Sequence, residues 1–195
     1  MAFYNSALKN GTSTISDLKP LQRHDHERGT ALAHDIKTRA LPPEFSACDV
    51  FYSEPPYPAG IKVFDERAGA KTGDYSEFAE PFCFVWSEIK VPKVLVCGKT
   101  LQRFFLDAPD FVTSVSLNGA KVDLCSWGVR LPGGLRNTKI CFELGKMFHH
   151  VGDPCCGYGV PIKHFISARK TNRFTVSDYD PHCVDAVRRV MAGDI

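Results

Sequence analysis

Apolar residues recur at every third or fourth position in several stretches of the chain, the spacing that places them on one face of a helix. The pattern is clearest from Tyr75 onward, where Phe78, Phe82, Val85 and Trp86 would share a face. Together with start and stop signals, this spacing predicts helices over residues 27–41, 75–89, 98–105, 138–146, 161–168 and 181–191.

Short continuous apolar runs, such as Val94 to Cys97, indicate strands that are buried on both faces. Two β-rich runs, 111–117 and 121–127, flank Asn118-Gly119, a pair typical of a tight hairpin turn. Further strands are predicted over residues 48–53, 94–97, 147–151 and 173–177. Because strands otherwise alternate with helices, we predict an α/β fold with a mostly parallel sheet and one antiparallel hairpin strand.

Polar segments divide the chain into a short arm and one domain. Residues 1–24 are predicted to form an N-terminal arm or loop, and residues 25–195 to form a single domain. Within that domain, residues 58–73 are polar and contain three glycines, which predicts a mobile loop.

The composition is that of an ordinary globular protein. The 195 residues are 44% hydrophobic and 24% charged, which suits a domain with a substantial core. No stretch reaches the length of about 18 uncharged apolar residues, and the N-terminus lacks a basic-then-apolar signal pattern, so we expect a cytoplasmic protein with no membrane partner. A net charge of +2 permits a nucleic-acid partner without requiring one.

The eight cysteines form no Cys-x-x-Cys pair, and most lie inside apolar runs. We interpret them as reduced, buried side chains rather than disulfide partners or zinc ligands. Histidines cluster at His24-Asp25-His26 and His149-His150, but without cysteines at ligand spacing, so no metal site is predicted.

Residues 147–180 have the order strand, glycine turn, helix, strand and acid that is typical of a nucleotide-binding unit. Gly157 and Gly159 would let the backbone approach a ligand, and Asp178 would accept hydrogen bonds from both hydroxyls of a ribose. A third glycine is missing before the helix, and Pro161 removes one N–H donor there, which favours an adenosine ligand without phosphates over a dinucleotide. The alternative is a glycine turn with no binding role.

A rigid turn, Ser53-Glu54-Pro55-Pro56-Tyr57, directly follows an apolar strand candidate. In α/β sheets ligands bind at the carboxyl ends of strands, so this turn is a candidate site. A planar amine can donate to Glu54 or to a proline carbonyl while its ring stacks on Tyr57, which holds the nitrogen lone pair for attack on an electrophilic methyl group. The alternative is a strand-ending turn with no chemistry.

Together, the two motifs resemble those of S-adenosylmethionine-dependent amino-methyltransferases of the circularly permuted kind, in which a catalytic (D/N/S)-P-P-(Y/F/W) turn precedes the cofactor loop. Residues 40–57 are similar to the family's approach to that turn, and residues 174–178 to its second strand. Residues 152–159, Gly-Asp-Pro-Cys-Cys-Gly-Tyr-Gly, resemble its D-P-F-x-G-S-G cofactor loop. The resemblance extends over residues 40–191.

The resemblance implies a Rossmann-like methyltransferase sheet in a single permuted domain, with S-adenosylmethionine as cofactor at its carboxyl edge. The implied substrate is an exocyclic amine of adenine or cytosine in nucleic acid, with DNA as the expected partner. The helix over 138–146 would lie near the methionine part of the cofactor, and Asp35 or Asp194 would meet its adenine amine. The implied catalytic residues are Glu54, Pro55, Pro56 and Tyr57. The implied cofactor-binding residues are Asp153, Pro154, Cys155, Gly157, Tyr158, Gly159 and, for the ribose, Asp178.

The sequence departs from the family pattern in three ways. Glu54 stands where the family has Asp, Asn or Ser, and its extra methylene moves the acceptor by about 1 Å, enough to alter a near-attack geometry. Tyr158 replaces a small residue of the cofactor loop. Between the hairpin and Thr138 there is no long insert of the kind that carries DNA recognition in such enzymes.

These departures keep other hypotheses open. The chain can be a catalytically degenerate protein that uses the fold for binding or as a scaffold, or a methyltransferase of a protein or a small molecule. Without a recognition insert, only the N-terminal arm and the 58–73 segment are left to contact a nucleic acid. The candidate phosphate ligands in that segment are Lys62, Arg67 and Lys71. A monomer and a homodimer are equally compatible with the sequence.

Overall fold

The structure is a computed structural model that describes residues 23–67, 73–117, 120–132 and 135–194. Its strands are β1 (Arg23–His26), β2 (Gly29–Ala33), β3 (Val50–Ser53), β4 (Lys93–Cys97), β5 (Phe111–Leu117), β6 (Ala120–Trp127), β7 (His150–Asp153) and β8 (Arg173–Asp178). Its α-helices are α1 (Pro58–Arg67), α2 (Ser76–Glu88), α3 (Lys99–Gln102), α4 (Asn137–Met147), α5 (Val160–Ala168) and α6 (Pro181–Ala192). Short 3-10 helices lie at Ile36–Thr38 and Pro43–Ala47.

The strands form one sheet in the order β1-β2-β8-β7-β3-β4-β6-β5. The central strands β2, β8, β7, β3 and β4 run parallel, whereas β1, β6 and β5 pair antiparallel with their neighbours. β5 and β6 form the predicted hairpin, although its Asn118-Gly119 turn lies outside the described residues. The predicted α/β fold, mostly parallel with an antiparallel hairpin, is therefore confirmed.

The last two strands of the chain, β7 and β8, lie in the middle of the sheet, between β2 and β3. Parallel strands end at one common edge, here called the carboxyl edge. The segments that follow β2, β3, β4, β7 and β8 therefore meet there, and residues from both halves of the chain are brought together.

Helices cover both faces of the sheet, because alternate residues of each strand point to opposite sides. On β3, Val50 and Tyr52 belong to the core beneath α4, α5 and α6, whereas Phe51 belongs to the core beneath α2 and α3. Two-sided burial of this kind explains the continuous apolar runs. Since both cores are closely packed, the strand ends at the carboxyl edge have fixed positions.

The predicted helix over residues 27–41 is wrong, because β1 and β2 form an antiparallel pair there. Gly29 has a φ of +137°, and an added Cβ would lie 1.8 Å from the carbonyl oxygen of Phe174 in β8, so this close pairing requires glycine. Ala31 and Leu32 are fully buried in the two different cores. The apolar spacing therefore reflects a two-sided strand rather than one face of a helix.

The mobile loop predicted over residues 58–73 is wrong for its first ten residues, which form α1. Pro58 occupies the first helical position, where its missing N–H is tolerated, and the Tyr57 carbonyl accepts from the Ile61 N–H at 3.1 Å. Ile61 and Asp65, one turn apart, are only 6% and 2% exposed. α1 is therefore a mostly polar helix that packs against the protein through a few buried side chains, which its composition did not indicate.

Several boundaries differ from the prediction by one to three residues. α3 ends at Gln102 rather than at residue 105, and β7 begins at His150 because α4 continues through Met147. β1 begins at Arg23, inside the predicted arm, and residues 1–22 lie outside the described part. None of the described helices has the length and apolar character that a bilayer crossing needs.

Candidate functional site

The two predicted motifs meet at the carboxyl edge of the sheet. β3 leads into the proline turn (residues 53–57), and β7 leads into the glycine loop (residues 153–159). β3 pairs with β7, and β7 pairs with β8, whose last residue is Asp178. Motifs that are 100 residues apart in the sequence therefore lie side by side.

A buried hydrogen bond joins the proline turn to the glycine loop. The Ser53 hydroxyl donates to Asp153 Oδ1 at 2.8 Å, and the Cys155 backbone N–H donates to the same oxygen at 3.1 Å. Ser53 is fully buried and Asp153 is 5% exposed, so water does not compete for the contact. Asp153 therefore fixes the proline turn relative to the glycine loop.

Burial raises the pKa of Asp153 to about 8, and the hydrogen bonds from Ser53 and Cys155 oppose part of that rise. Between the ordinary carboxyl value of 3.8 and this raised pKa, the folded protein holds a proton that the unfolded chain releases. The proton stabilises the fold fully below about pH 4, and its contribution is lost as the pH rises through about 8.

Asp153→Asn should remove this pH dependence, because an amide does not titrate. We expect the unfolding free energy of the wild type, relative to the variant, to fall by up to about 1.4 kcal/mol per pH unit between about pH 4 and 8. Urea unfolding of both proteins over that range measures the difference. A difference that is constant with pH would contradict the raised pKa.

Asp178 ends β8, and backbone donors orient its carboxylate. The Gly157 N–H donates to Oδ2 at 2.9 Å, and the Asp180 N–H donates to Oδ1 at 3.0 Å. Burial raises the pKa of Asp178 to about 6, while these bonds act to lower it, so the group is mainly ionised at neutral pH. A carboxylate accepts up to about four hydrogen bonds, so Asp178 keeps capacity for a ligand hydroxyl.

The glycine loop leads directly into α5. Gly159 has a φ of +70°, and an added Cβ would lie 2.8 Å from Val187 Cγ2 of α6, so a side chain would be obstructed there. Tyr158, which stands in place of a small residue, is half-buried. The loop therefore closes tightly against α6, and the N-terminus of α5 lies at the carboxyl edge.

Hydrogen bonds from two tyrosines hold the proline turn. The Tyr52 hydroxyl, from the β3 face beneath α4 and α5, donates to Glu54 Oε1. The Tyr75 hydroxyl, at the start of α2, donates to the Pro56 carbonyl at 3.1 Å. The turn is therefore fixed through both its carboxylate and its backbone.

The Tyr57 ring lies against the residue that follows β4. An added Cβ on Gly98 would lie 3.3 Å from Tyr57 Cε1, so the ring packs on bare backbone. The next residue, Lys99, is exposed. Tyr57 is thus positioned by the neighbouring strand as well as by the prolines.

Helix α1 crosses the carboxyl edge from the proline turn toward β8. It begins directly after Tyr57, and its buried Asp65 accepts from the Tyr179 hydroxyl at 3.4 Å. Burial raises the pKa of Tyr179, which keeps its phenol a donor. Since Tyr179 directly follows Asp178, α1 reaches from β3 to β8, over the end of β7. The sequence offers no signal for Tyr179, and for Asp65 only its helical spacing from Ile61.

An open depression lies between α4 and α5. It has a volume of about 430 Å³ and is lined by Arg136, Thr138, Lys139, Phe142 and His164. Burial lowers the pKa of His164, and the negative charge of Glu54 opposes that fall. Arg136 and Lys139 are exposed, which gives the depression a positively charged rim.

Of the three predicted phosphate ligands, the structure describes only the side chain of Lys62. Lys62 is exposed on α1, with its Nζ 3.9 Å from Glu66 Oε1. The side chain of Arg67 and the whole of Lys71 lie outside the described part. The role of these residues stays a prediction.

The two acids expected near an adenine amine lie near opposite ends of β2. Asp35 follows β2, whose carboxyl end is paired with that of β8. Asp194 follows α6, and the Met191 carbonyl near that end accepts from Arg28, the residue before β2. Of the two, Asp35 is therefore the one that lies on the same side as Asp178.

All eight cysteines are thiols, and seven of them are buried, as their apolar surroundings predict. Burial raises the pKa values of Cys141, Cys155 and Cys156, so these thiols near the site stay protonated at neutral pH. Among the residues that the structure describes, no group of three or more histidine, cysteine, aspartate or glutamate side chains could hold a metal ion.

No protein-family model and no curated protein matches the sequence. A crystal structure of TTHA0409, a proposed DNA modification methylase from Thermus thermophilus, is similar with a TM-score of 0.54 at 15% identity, over 86% of this chain and 95% of that one. Its complex with S-adenosyl-L-methionine has a TM-score of 0.51 at 13% identity, over 83% and 94%. The chain therefore has the Rossmann-like methyltransferase fold.

Proposed function

We propose that the protein is an S-adenosylmethionine-dependent methyltransferase that acts on an exocyclic amine of adenine or cytosine in nucleic acid, with DNA as the first candidate. The observation that carries the proposal is the buried bond from Ser53 to Asp153, which joins a turn suited to an amine with a loop suited to a nucleoside. Asp178 on the adjacent strand adds an acceptor for a ribose. The contact between the proline turn and the glycine loop supports a single site that binds both the substrate amine and the cofactor.

The strand order supports membership of the permuted family that the motifs resemble. The proline turn precedes the glycine loop in the chain, yet their strands, β3 and β7, are paired. β7 and β8 come last in the sequence but fill the middle of the sheet. A circular permutation that moves the cofactor-binding half to the end of the chain would produce this arrangement.

The residues at the carboxyl edge fit a bound adenosine group. Asp178 is oriented by two backbone donors, and Asp35 lies on the same side for the adenine amine. Gly159 gives the loop a path that a side chain would obstruct. S-adenosylmethionine, when bound, supplies a methyl group that is electrophilic because it is attached to a sulfonium. We assign Asp153, Pro154, Cys155, Gly157 and Tyr158 to the same pocket.

The proline turn would bind and orient the amine. The Glu54 carboxylate and the Pro55 carbonyl accept the amine hydrogens while Tyr57 stacks on the ring, which leaves the nitrogen lone pair aligned for transfer. Tyr75 keeps the turn in place through its bond to Pro56. An amine of low pKa needs no general base, because its proton can leave after the transfer. α1, which lies across the edge, would exclude water.

Exposed basic side chains around the site favour a polyanionic substrate. Lys99 lies beside the glycine that contacts Tyr57, and Arg136 and Lys139 rim the depression. Side chains of this kind bind nucleic-acid phosphates without reading sequence. The candidate phosphate ligands along α1 and the segment after it are Lys62, Arg67 and Lys71.

Glu54 favours a second candidate function, a non-catalytic protein that keeps the fold for binding. Glutamate stands where the family has a shorter residue, and its carboxylate is engaged by Tyr52. The absence of a long insert before α4 favours a third, methylation of a protein or a small molecule.

Two measurements on the full chain test these functions. Isothermal titration calorimetry measures the affinity for S-adenosylmethionine, and transfer of a labelled methyl group to DNA, RNA or protein measures activity. Micromolar binding with label in DNA is expected. If the label appeared only in RNA or only in protein, that molecule would replace DNA as the proposed substrate. Cofactor binding without methyl transfer would favour the non-catalytic protein. No binding at millimolar cofactor would contradict a methyltransferase.

A further inference from the structure

Tyr52 occupies a position from which its side chain can act on the proline turn. It lies two residues before Glu54, which directly follows the last residue of β3. Tyr52 is fully buried beneath α4 and α5, and its hydroxyl donates to Glu54 Oε1. Burial also raises the pKa of Tyr52 well above its ordinary value, so the phenol remains a donor.

The surroundings of Tyr52 make its hydroxyl a fixed point. Its ring meets that of Phe165 in α5 edge to face, with centroids 5.7 Å apart and an interplanar angle of 71°. Cys141 of α4 is fully buried and close enough to hydrogen-bond the same hydroxyl. A ring enclosed in this way loses no further freedom when its hydroxyl binds a partner.

Glu54 requires such a fixed partner more than a shorter acid would. Its extra methylene adds one rotatable bond and displaces the carboxylate by about 1 Å, and errors of that size cost reaction rate. A hydrogen bond to Oε1 restricts this freedom. A carboxylate accepts up to about four hydrogen bonds, so the contact with Tyr52 is compatible with binding an amine.

We propose that Tyr52 is a positioning residue that holds the Glu54 carboxylate in the geometry needed to accept from the substrate amine. This inference rests on the proposed methyltransferase function. The inference explains the unusual glutamate and the buried tyrosine together. The longer side chain of Glu54 is functional because the Tyr52 hydroxyl, on the strand before it, holds the carboxylate in place.

Tyr52→Phe tests the anchor, because it removes the hydroxyl and keeps the ring against Phe165. We expect kcat for methyl transfer to fall at least about tenfold, with KM for the nucleic acid and the Kd of S-adenosylmethionine unchanged within about twofold. In a Glu54→Asp background, whose shorter side chain does not reach Tyr52, the same substitution should have no further effect.

Tyr75→Phe is the matched control, since it removes the hydroxyl that bonds to the backbone of the same turn. Whatever effect it has on kcat should persist in the Glu54→Asp background, because it does not act through the carboxylate. A Tyr52→Phe protein with the wild-type kcat, or with an equal loss in both backgrounds, would overturn the inference.

A second measurement does not depend on activity or on a variant of the core. The buried Tyr52 hydroxyl proton should give a slowly exchanging downfield resonance in proton NMR, and Glu54→Gln should shift it upfield. A resonance that Glu54→Gln leaves unchanged would overturn the anchor alone. Methyl transfer that is absent from the wild type, with the resonance present, would instead overturn the proposed function and with it the role of Tyr52.

Discussion

Asp178→Ala is expected to lower the affinity for S-adenosylmethionine by at least about a hundredfold, because hydrogen bonds to a charged group are worth about 1.5–3 kcal/mol each and a ribose would lose two. The carboxylate is 7% exposed and is held by the N–H groups of Gly157 and Asp180. Bonds that it made with a ribose would therefore be shielded from water and oriented in advance. Isothermal titration calorimetry measures the effect.

Asp185→Ala is the matched control for Asp178→Ala. Asp185 lies on the exposed side of α6, where it pairs with Arg188 at 2.9 Å, and its removal changes the net charge by the same amount. Its affinity for S-adenosylmethionine should equal that of the wild type. Unchanged affinity in the Asp178→Ala protein would refute the ribose assignment.

Glu54→Ala is expected to lower kcat for methyl transfer by about a hundredfold or more, the loss seen when one preorganised polar group is removed from a reacting centre. The amine would lose the acceptor that orients its lone pair. The affinity for S-adenosylmethionine should change by less than about threefold, because the proposed cofactor contacts lie in the glycine loop and at Asp178. Steady-state assays with labelled cofactor separate the two quantities.

Glu80→Ala serves as the control for Glu54→Ala, since Glu80 is exposed on α2 and should leave both kcat and cofactor affinity unchanged. Glu54→Asp distinguishes the catalytic from the degenerate protein. If the wild type binds cofactor without transfer and Glu54→Asp gains activity, the natural glutamate marks a non-catalytic chain. If the Glu54→Ala protein had the wild-type kcat, Glu54 would have no role in methyl transfer.

Local sequence was sufficient for the features that depend on a few neighbouring residues. The proline turn and the glycine loop contain residue types with special backbone angles, and Asn-Gly between two β-rich runs is typical of a hairpin. The helix predicted to begin at residue 181 does begin there, and the Asp180 carboxylate caps it by accepting from the His182 N–H at 2.9 Å. The alternation of these elements was enough to predict the fold class.

Local sequence was not sufficient where two structures share one pattern. The apolar residues Ala31, Leu32 and Ile36 fit a helix face as well as a strand, and the pairing of β2 with β8 decides between them. The polar residues of α1 fit a loop, and burial of Ile61 and Asp65 against the rest of the protein decides for a helix. The β8 partner of β2 and the Tyr179 partner of Asp65 both lie more than 100 residues away in the chain.

What the sequence by itself determined is the set of side chains available to this protein: a carboxylate before two prolines, a tyrosine after them, a glycine loop and a terminal acid. What the tertiary structure alone decided is their arrangement. The bond from Ser53 to Asp153 joins residues 100 positions apart, and that from Tyr179 to Asp65 joins residues 114 positions apart. Such contacts leave no periodic trace in the sequence, because they form only after the parallel strands have brought their carboxyl ends to one edge.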